Sequence, residues 1–454
     1  MEGKDTVMTR REALKGLFYT GMGLAVGGPL LQACRPGAQE APAGIPWTEA
    51  PEGSKIDMRT WSRMGETVGL LGLGCMRFPS KDGHLDQEAV NKMIDYAIAH
   101  GINYFDSAPL YGESEEVTGK ALCRHPRDSY FIATKMSHMG GRNFTLEDGK
   151  RMFENSLKRL QVDYIDFYLL HSVPTVDEFN GRYVENGLFD WLLEQRAEGR
   201  IRHLGFSYHG TNADLPRMLD LYDWDFVQIQ ANYVDWKDMP VDWNPGQGAT
   251  SAEVLYKCLA DRGVPAVVME PVKGGSLAHV SDALAAVMRE RHPELTPAGN
   301  ALTFVGSLPG VMVTLSGMST MEQLKENVSL FTGFKPFDDQ DMAFMQTVAE
   351  LYKSNVHIPC TACAYCMPCP NGVNIPGNFR VFNSASDALS IPDPSHKDRT
   401  YAAKRKAFLK LYKGLEEGTT ADACTTCNAC LPKCPQHIRI PDQLKRISDL
   451  VAQL

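Results

Sequence analysis

The stretch Gln87-Glu88-Ala89-Val90-Asn91-Lys92-Met93-Ile94-Asp95-Tyr96-Ala97-Ile98-Ala99-His100-Gly101-Ile102-Asn103-Tyr104-Phe105-Asp106-Ser107 carries two periods in succession. Over Gln87–His100, Val90, Met93, Ile94, Ala97 and Ile98 fall on one helical face. Over Asn103–Ser107 the chain becomes a short apolar run of strand length. Similar runs recur at Val68–Cys75, Tyr130–Lys135, Tyr164–His171, Arg202–Ser207, Phe226–Ala231, Ala266–Glu270 and Met312–Ser316. Helical patterns such as Leu146–Leu160 and Asn186–Glu198 lie between them. Eight strands alternating with helices predict an α/β fold, a parallel (β/α)8 TIM barrel with its chemistry at the C-terminal strand ends. A doubly wound sheet is the alternative, but no G-x-G-x-x-G follows the first strand.

The barrel is expected over residues 56–335 of the 454-residue chain, leaving 336–454 for a second domain. A net charge of −9 and a pI near 5.8 speak against a nucleic-acid partner, which calls for a basic face.

Eight of the twelve cysteines lie in that second region. Cys360, Cys363, Cys366 and Cys369-Pro370 are spaced C-x2-C-x2-C-x2-C-P; Cys424, Cys427, Cys430 and Cys434-Pro435 are spaced C-x2-C-x2-C-x3-C-P. Three thiolates at successive x2 spacing let one loop wrap a corner of an iron–sulfur cube. The reading is two 4Fe–4S clusters, with two all-cysteine zinc sites as the alternative. After each cluster the chain repeats C-P-x-x-[VI]-x-I-P, at Pro370–Pro376 and Pro435–Pro441, so the module reads as a duplication. In two-cluster ferredoxins the Pro-flanked cysteine ligates the other half's cluster. That rule groups Cys360, Cys363 and Cys366 with Cys434, and Cys424, Cys427 and Cys430 with Cys369. Residues 401–416 read as a helix between the halves, and the region resembles the helical ferredoxin domains of multi-centre oxidoreductases.

At the other end, Thr9-Arg10-Arg11-Glu12-Ala13-Leu14-Lys15 precedes an apolar, Gly-rich run from Gly16 to Leu31. This resembles a twin-arginine signal over residues 1–34. Leu31-Gln32-Ala33-Cys34 resembles a lipoprotein cleavage box, which would make Cys34 a lipid anchor and 35–55 a linker. The expected location is periplasmic or membrane-anchored at the cell surface. Oxidising compartments favour disulfides, and export of a folded, cluster-loaded protein reconciles the two signals.

Polar residues sit at the predicted strand ends: Asp106 on the second, Lys135 on the third, His171 on the fourth, with Tyr111 just beyond the second. A tyrosine needs a nearby cation to lower its pKa, a lysine held by a carboxylate can supply one, and a neutral histidine can polarise a carbonyl. Gly101-Ile102-Asn103-Tyr104-Phe105-Asp106-Ser107-Ala108-Pro109-Leu110-Tyr111-Gly112, Thr134-Lys135 and Tyr164-Ile165-Asp166-Phe167-Tyr168-Leu169-Leu170-His171 resemble successive motifs of the aldo-keto reductases. The resemblance implies a catalytic tetrad of Asp106, Tyr111, Lys135 and His171, with Tyr111 as proton donor. It also implies a nicotinamide cofactor, NAD(H) or NADP(H). Ser207 and Gln228 match the family's carboxamide-binding pair. Tyr208 stands where an Asn is usual, and Met269 where an aromatic ring commonly stacks on the nicotinamide. Gly317, Ser319, Gln323, Glu326 and Asn327 match the phosphate and adenine segment, with Gly317 and Gln323 replacing the Lys and Arg that clamp a 2′-phosphate. NAD is therefore expected over NADP, and NADP would need another cation, Lys273 or Lys325. Capping and a solvated helix face are the structural alternative for Ser319, Gln323 and Asn327.

The expected function is that of an exported oxidoreductase acting on a small carbonyl or alcohol, its clusters serving electron transfer or structure, with an external redox partner for the former. The alternative is a cluster-bearing electron carrier or binding module whose barrel has lost nicotinamide chemistry. The loops Ser137–Asn143, Val173–Glu185 and Tyr233–Gly248, where specificity would lie, hold no readable motif.

Overall fold

The computed structural model describes residues 47–138, 144–239, 250–354, 358–387, 390–394, 397 and 400–454. The expected signal over 1–34, the lipid site at Cys34, the linker up to residue 46 and parts of two specificity loops (139–143 and 240–248) lie outside these residues. Among the described residues no helix is long and apolar enough to cross a membrane.

Eight strands close into a barrel: β1 (Leu71–Gly74), β2 (Tyr104–Asp106), β3 (Phe131–Met136), β4 (Ile165–Leu170), β5 (Ile201–Tyr208), β6 (Phe226–Gln230), β7 (Ala266–Met269) and β8 (Val311–Ser316). Every neighbouring pair is parallel, and β8 returns to β1 through Thr314 opposite Leu71 and Ser316 opposite Leu73. Tyr104, Phe167, Phe226, Val267 and Val313 pack in one buried cluster, with the Tyr104 and Phe167 rings 5.0 Å apart. The inside is therefore a core and the chemistry is left to the rim.

Seven of the eight predicted strands match to within a residue at each end, whereas Val68–Cys75 is broken in two. Glu66–Gly69 pairs antiparallel with Met58–Trp61, and only Leu71–Gly74 enters the barrel. The break follows from Gly69, where a Cβ would lie 2.8 Å from Ile56 Cδ1, and from Leu70, whose N–H donates to Asp57 O at 2.9 Å.

The helix Gln87–Ala99 starts on Asp86, whose carboxylate accepts from the backbone N–H of Glu88 and Ala89. Leu146–Leu160 starts on a capping box between Thr145 and Asp148. The helix Ser114–Leu122 crosses this one so closely that a Cβ on Gly119 would lie 2.3 Å from Arg159 O. Gly119→Ala must push two helices apart, and a loss of about 1–3 kcal/mol in denaturant unfolding is expected.

Beyond the barrel, Asp339–Ser354 packs Met345 and Val348 into the barrel's own outer core. The helices Ile375–Asp387, Tyr401–Tyr412 and Ile440–Ala452 enclose a separate core of Val373, Phe379, Phe382, Phe408, Leu444 and Ile447. The middle helix stops at Tyr412, short of the predicted 416, and the Tyr412 hydroxyl accepts from Ala421 N–H at 3.1 Å. Each half of the sequence repeat ends in an Ile-Pro that opens a helix, at Ile375-Pro376 and Ile440-Pro441.

Candidate active site at the barrel mouth

β2 and β3 carry Asp106 and Lys135 to adjacent strand ends. The Lys135 ammonium donates to Asp106 Oδ1 and to Ser107 O, both at 2.7 Å, with both side chains buried. It also stands 5.0 Å from the centre of the Tyr111 ring. His171, just past β4, meets Tyr111 edge to face with centroids 6.1 Å apart. The sequence-predicted group is thus brought together on one side of the mouth.

Its electrostatics differ from expectation in one respect. Burial first, and Asp106 next, hold the Tyr111 phenol well above its ordinary value, so the nearby cation does not lower it on balance. Lys135 donates to Asp106 and the Ser107 carbonyl, which offset part of its pull on the phenol. Burial likewise raises the Asp106 carboxyl, against the pull of Lys135. Burial, reinforced by Lys135, His209 and Arg182, keeps His171 well below the usual imidazole range. Its Nδ1 faces Ser137 Oγ at 2.7 Å. If that hydroxyl donates, Nε2 carries the ring proton.

A histidine whose folded pKa is depressed costs stability as pH falls through the unfolded value near 6.5, because only the unfolded chain then takes the proton. His171→Gln removes that cost. The variant's melting temperature is expected to fall less between pH 7 and pH 5 than that of the parent. Glu270, pushed up to about 7 mainly by burial, acts in the opposite sense and is common to both proteins.

A cavity of about 1430 Å³ opens from this group and is lined by Ser207, Gln228, Met269, Gly317, Ser319, Gln323, Glu326 and Asn327, every nucleotide-site residue expected from the sequence. Ser207 Oγ accepts from Ser172 N–H at 2.8 Å, which leaves its own proton to donate. Gln228 Oε1 is buried with no partner. Tyr208 spends its hydroxyl on Thr211 O at 2.6 Å. Ser319 is not a cap: Thr320 opens the helix Met321–Phe331, and Gln323 reaches back to accept from Ser319 N–H at 2.8 Å. Asn327 donates to Ser316 Oγ at 2.9 Å, and Glu326 accepts from Thr296 at 2.6 Å.

Neither cation suggested for a 2′-phosphate is free. Lys273 is buried against Asp235 at 2.6 Å, and Lys325 pairs with Glu49 at 2.9 Å. Arg77, which sequence reasoning missed, does line this groove: a Cβ on Gly317 would lie 3.3 Å from Arg77 Cδ. It follows β1 by three residues, a strand-end position that could have marked it.

The sequence did not reveal the roof over the mouth. Arg77 Nη2 donates to Thr361 O at 2.6 Å. Gln436 and Gln230 exchange amide hydrogen bonds at 3.0 and 3.2 Å, and Gln436 also donates to Glu270 Oε2 at 3.1 Å. Cys360, Cys363, Tyr365, Cys434 and His437 consequently line the same cavity as the tetrad.

The cysteines fall into two groups. Cys360, Cys363, Cys366 and Cys434 are near enough to feel one another's charge, as Cys430 is to Cys424, Cys427 and Cys369, and Cys434 is also near Cys430. Burial, with the like charge of Cys363 and Cys434 added, pushes the Cys360 thiol up to about 12. The two loops share an unusual backbone: Ala362 and Ala364 have φ of 51° and 62°, and Thr426 and Asn428 at the matching offsets have 54° and 62°. Left-handed non-glycine residues are costly, so their repetition marks two loops curled around a compact object. Ala362 N–H donates to Cys360 Sγ at 3.4 Å and Asn371 Nδ2 to Cys427 Sγ at 3.6 Å, the kind of contact that tunes cluster potentials. Among the described residues no three His, Cys, Asp or Glu side chains are placed to hold one metal ion. The donor set and the curled loops fit iron–sulfur cubes.

Comparison with known proteins agrees. Residues 359–439 match the 4Fe-4S dicluster domain profile. Protein tas of Escherichia coli is 30% identical, over 58% of this chain and 89% of its own length. L-galactose dehydrogenase of Arabidopsis thaliana is 26% identical, over 66% of this chain and 97% of its own. The solved holo form of an aldo-keto reductase from Bacillus halodurans superposes with a TM-score of 0.53 at 24% identity, over 64% of this chain and 96% of that one, a likeness of fold. Residues 70–350 match the aldo/keto reductase family profile, and with a 4Fe–4S domain appended to its barrel, the chain belongs to that family.

Proposed function

We propose that this oxidoreductase reduces a small carbonyl compound with a nicotinamide nucleotide, NAD(H) before NADP(H). The observation that carries the reading is the unpartnered Gln228 Oε1, buried in the cavity that holds Asp106, Tyr111, Lys135 and His171. A buried acceptor without a donor costs about 1–3 kcal/mol. A carboxamide N–H would satisfy it, while the Ser207 hydroxyl donates to the carboxamide oxygen. A nicotinamide held there by Gln228 and Ser207 would supply a hydride to the carbonyl carbon.

The remaining work falls to the chain. The Tyr111 hydroxyl gives its proton to the carbonyl oxygen as negative charge builds there, and Lys135 beside its ring steadies the phenolate left behind. His171, kept neutral, presents Nε2–H to the same oxygen. Burial keeps Tyr111 in the protonated form that donates. The pairing of Lys273 and Lys325 with carboxylates supports NAD, since neither is left for a 2′-phosphate.

Export by the twin-arginine route belongs to the same proposal. A protein folded before export would carry clusters and nucleotide with it. The first cysteine group borders the cavity and Cys427 of the second is exposed, which supports a second role for the clusters, one-electron exchange with an external partner. The test is to express the protein without residues 1–34, purify it anaerobically, denature it and separate the released nucleotides. NAD(H) is expected. NADP(H) would reverse the stated preference, and no affinity for either nucleotide would favour the electron-carrier reading.

A further inference from the structure

The loop that joins two cluster cysteines also reaches the reaction centre. Tyr365 lies between Cys363 and Cys366, lines the tetrad's cavity, and brings its hydroxyl beside that of Tyr111. Its place is not accidental to a mobile tip. Arg77 clamps the Thr361 carbonyl at 2.6 Å, and Gly274, at φ 65°, lies so near Thr361 that a Cβ there would stand 2.3 Å from its oxygen. Ala362 and Ala364, both left-handed, then turn the chain so that Tyr365 faces the mouth.

The Tyr111 hydroxyl must meet the carbonyl oxygen of any substrate it protonates, and Tyr365 borders the cavity in which the two would meet. We propose that Tyr365 is a specificity-determining residue of the reductase site. An incoming carbonyl displaces its hydroxyl from Tyr111, and its ring forms the wall against the carbonyl's substituents. The active site is then composite, with the barrel supplying the acid and the cysteine loop supplying the lid. This rests on the reading of Tyr111 as the proton donor.

Two consequences follow from removing or enlarging the lid. Tyr365→Phe keeps the ring and deletes the hydroxyl that competes with the substrate for Tyr111. KM should fall about two- to tenfold with kcat little changed. Tyr365→Trp thickens the wall, so KM should rise more for a long carbonyl than for a short one.

The test uses the full holoprotein and the straight-chain aldehydes from propanal to decanal. In parallel, calorimetry measures binding of the matching alkanoates, which carry a carbonyl-like oxygen and cannot be reduced, in the presence of oxidised nucleotide. Iron content and nucleotide affinity check that each variant is intact. The expected result is a lower KM and a lower propanoate Kd in Tyr365→Phe, with selective loss of decanal and decanoate in Tyr365→Trp. Unchanged values in both intact variants would overturn the proposal, as would alkanoates that bind neither parent nor variant. A parent that reduces no aldehyde would sink the reductase reading instead, and the alkanoate affinities would still decide whether Tyr365 lines the site.

Discussion

Tyr111→Phe lowers carbonyl reduction by about 10²–10⁴-fold and leaves nucleotide affinity close to that of the parent, when the two are measured side by side. The ring that faces Lys135 and His171 is retained, so packing at the mouth is undisturbed. Only the acid is removed. No nearby group can replace it: Lys135 is spent on Asp106 and Ser107 O, and His171 is held neutral by burial and by the charges of Lys135 and Arg182. Tyr365 stands beside the Tyr111 hydroxyl, but burial raises its phenol as well, so it is no better a donor. A Tyr111→Phe variant with full activity on a carbonyl that the parent reduces would show that the tetrad does not act as proposed.

Cys366→Ser and Cys434→Ser each halve the iron of the anaerobically purified protein, from about eight to about four, and the double variant loses no more than either alone. The reasoning is geometric. Cys434 is near Cys363, Cys360 and Cys366 across the duplication as well as near Cys430, and Cys369 is near Cys430. Cys366 and Cys434, far apart in sequence, are therefore expected to serve one cube. If each motif instead held its own cluster, the double variant would be nearly iron-free. Iron and sulfide analysis separates the outcomes without any assay of activity.

The fold was legible because its signals are local. The helix Gln87–Ala99 and the strand Tyr104–Asp106 each announce themselves through a period of residues within one element. The tetrad was legible because each member ends or follows a strand. The cluster domain was legible because the repeat C-P-x-x-[VI]-x-I-P marks equivalent positions in two halves. What stayed hidden was the seating of the second domain on the first. Gln436 meets Gln230 across 206 residues and Arg77 meets Thr361 across 284, and neither pair leaves a periodic trace. Tyr365 was hidden for the same reason: between two cysteines it reads as filler, and only the docked loop brings it to Tyr111. Lys273 misled in the other direction, since its commitment to Asp235 depends on a buried contact 38 residues away.

The central claim is that the barrel mouth passes hydride from a nicotinamide to a carbonyl carbon. Incubating the anaerobic protein with C4-deuterated NADH or NADPH and the aldehyde series, then analysing the alcohols by mass spectrometry, tests it directly. The account predicts deuterium on the carbinol carbon, more from NADH than from NADPH, and its loss in Tyr111→Phe. Alcohol formed without deuterium from either stereospecifically labelled nucleotide, or no alcohol at all from protein that binds nucleotide and carries its full iron, would contradict it.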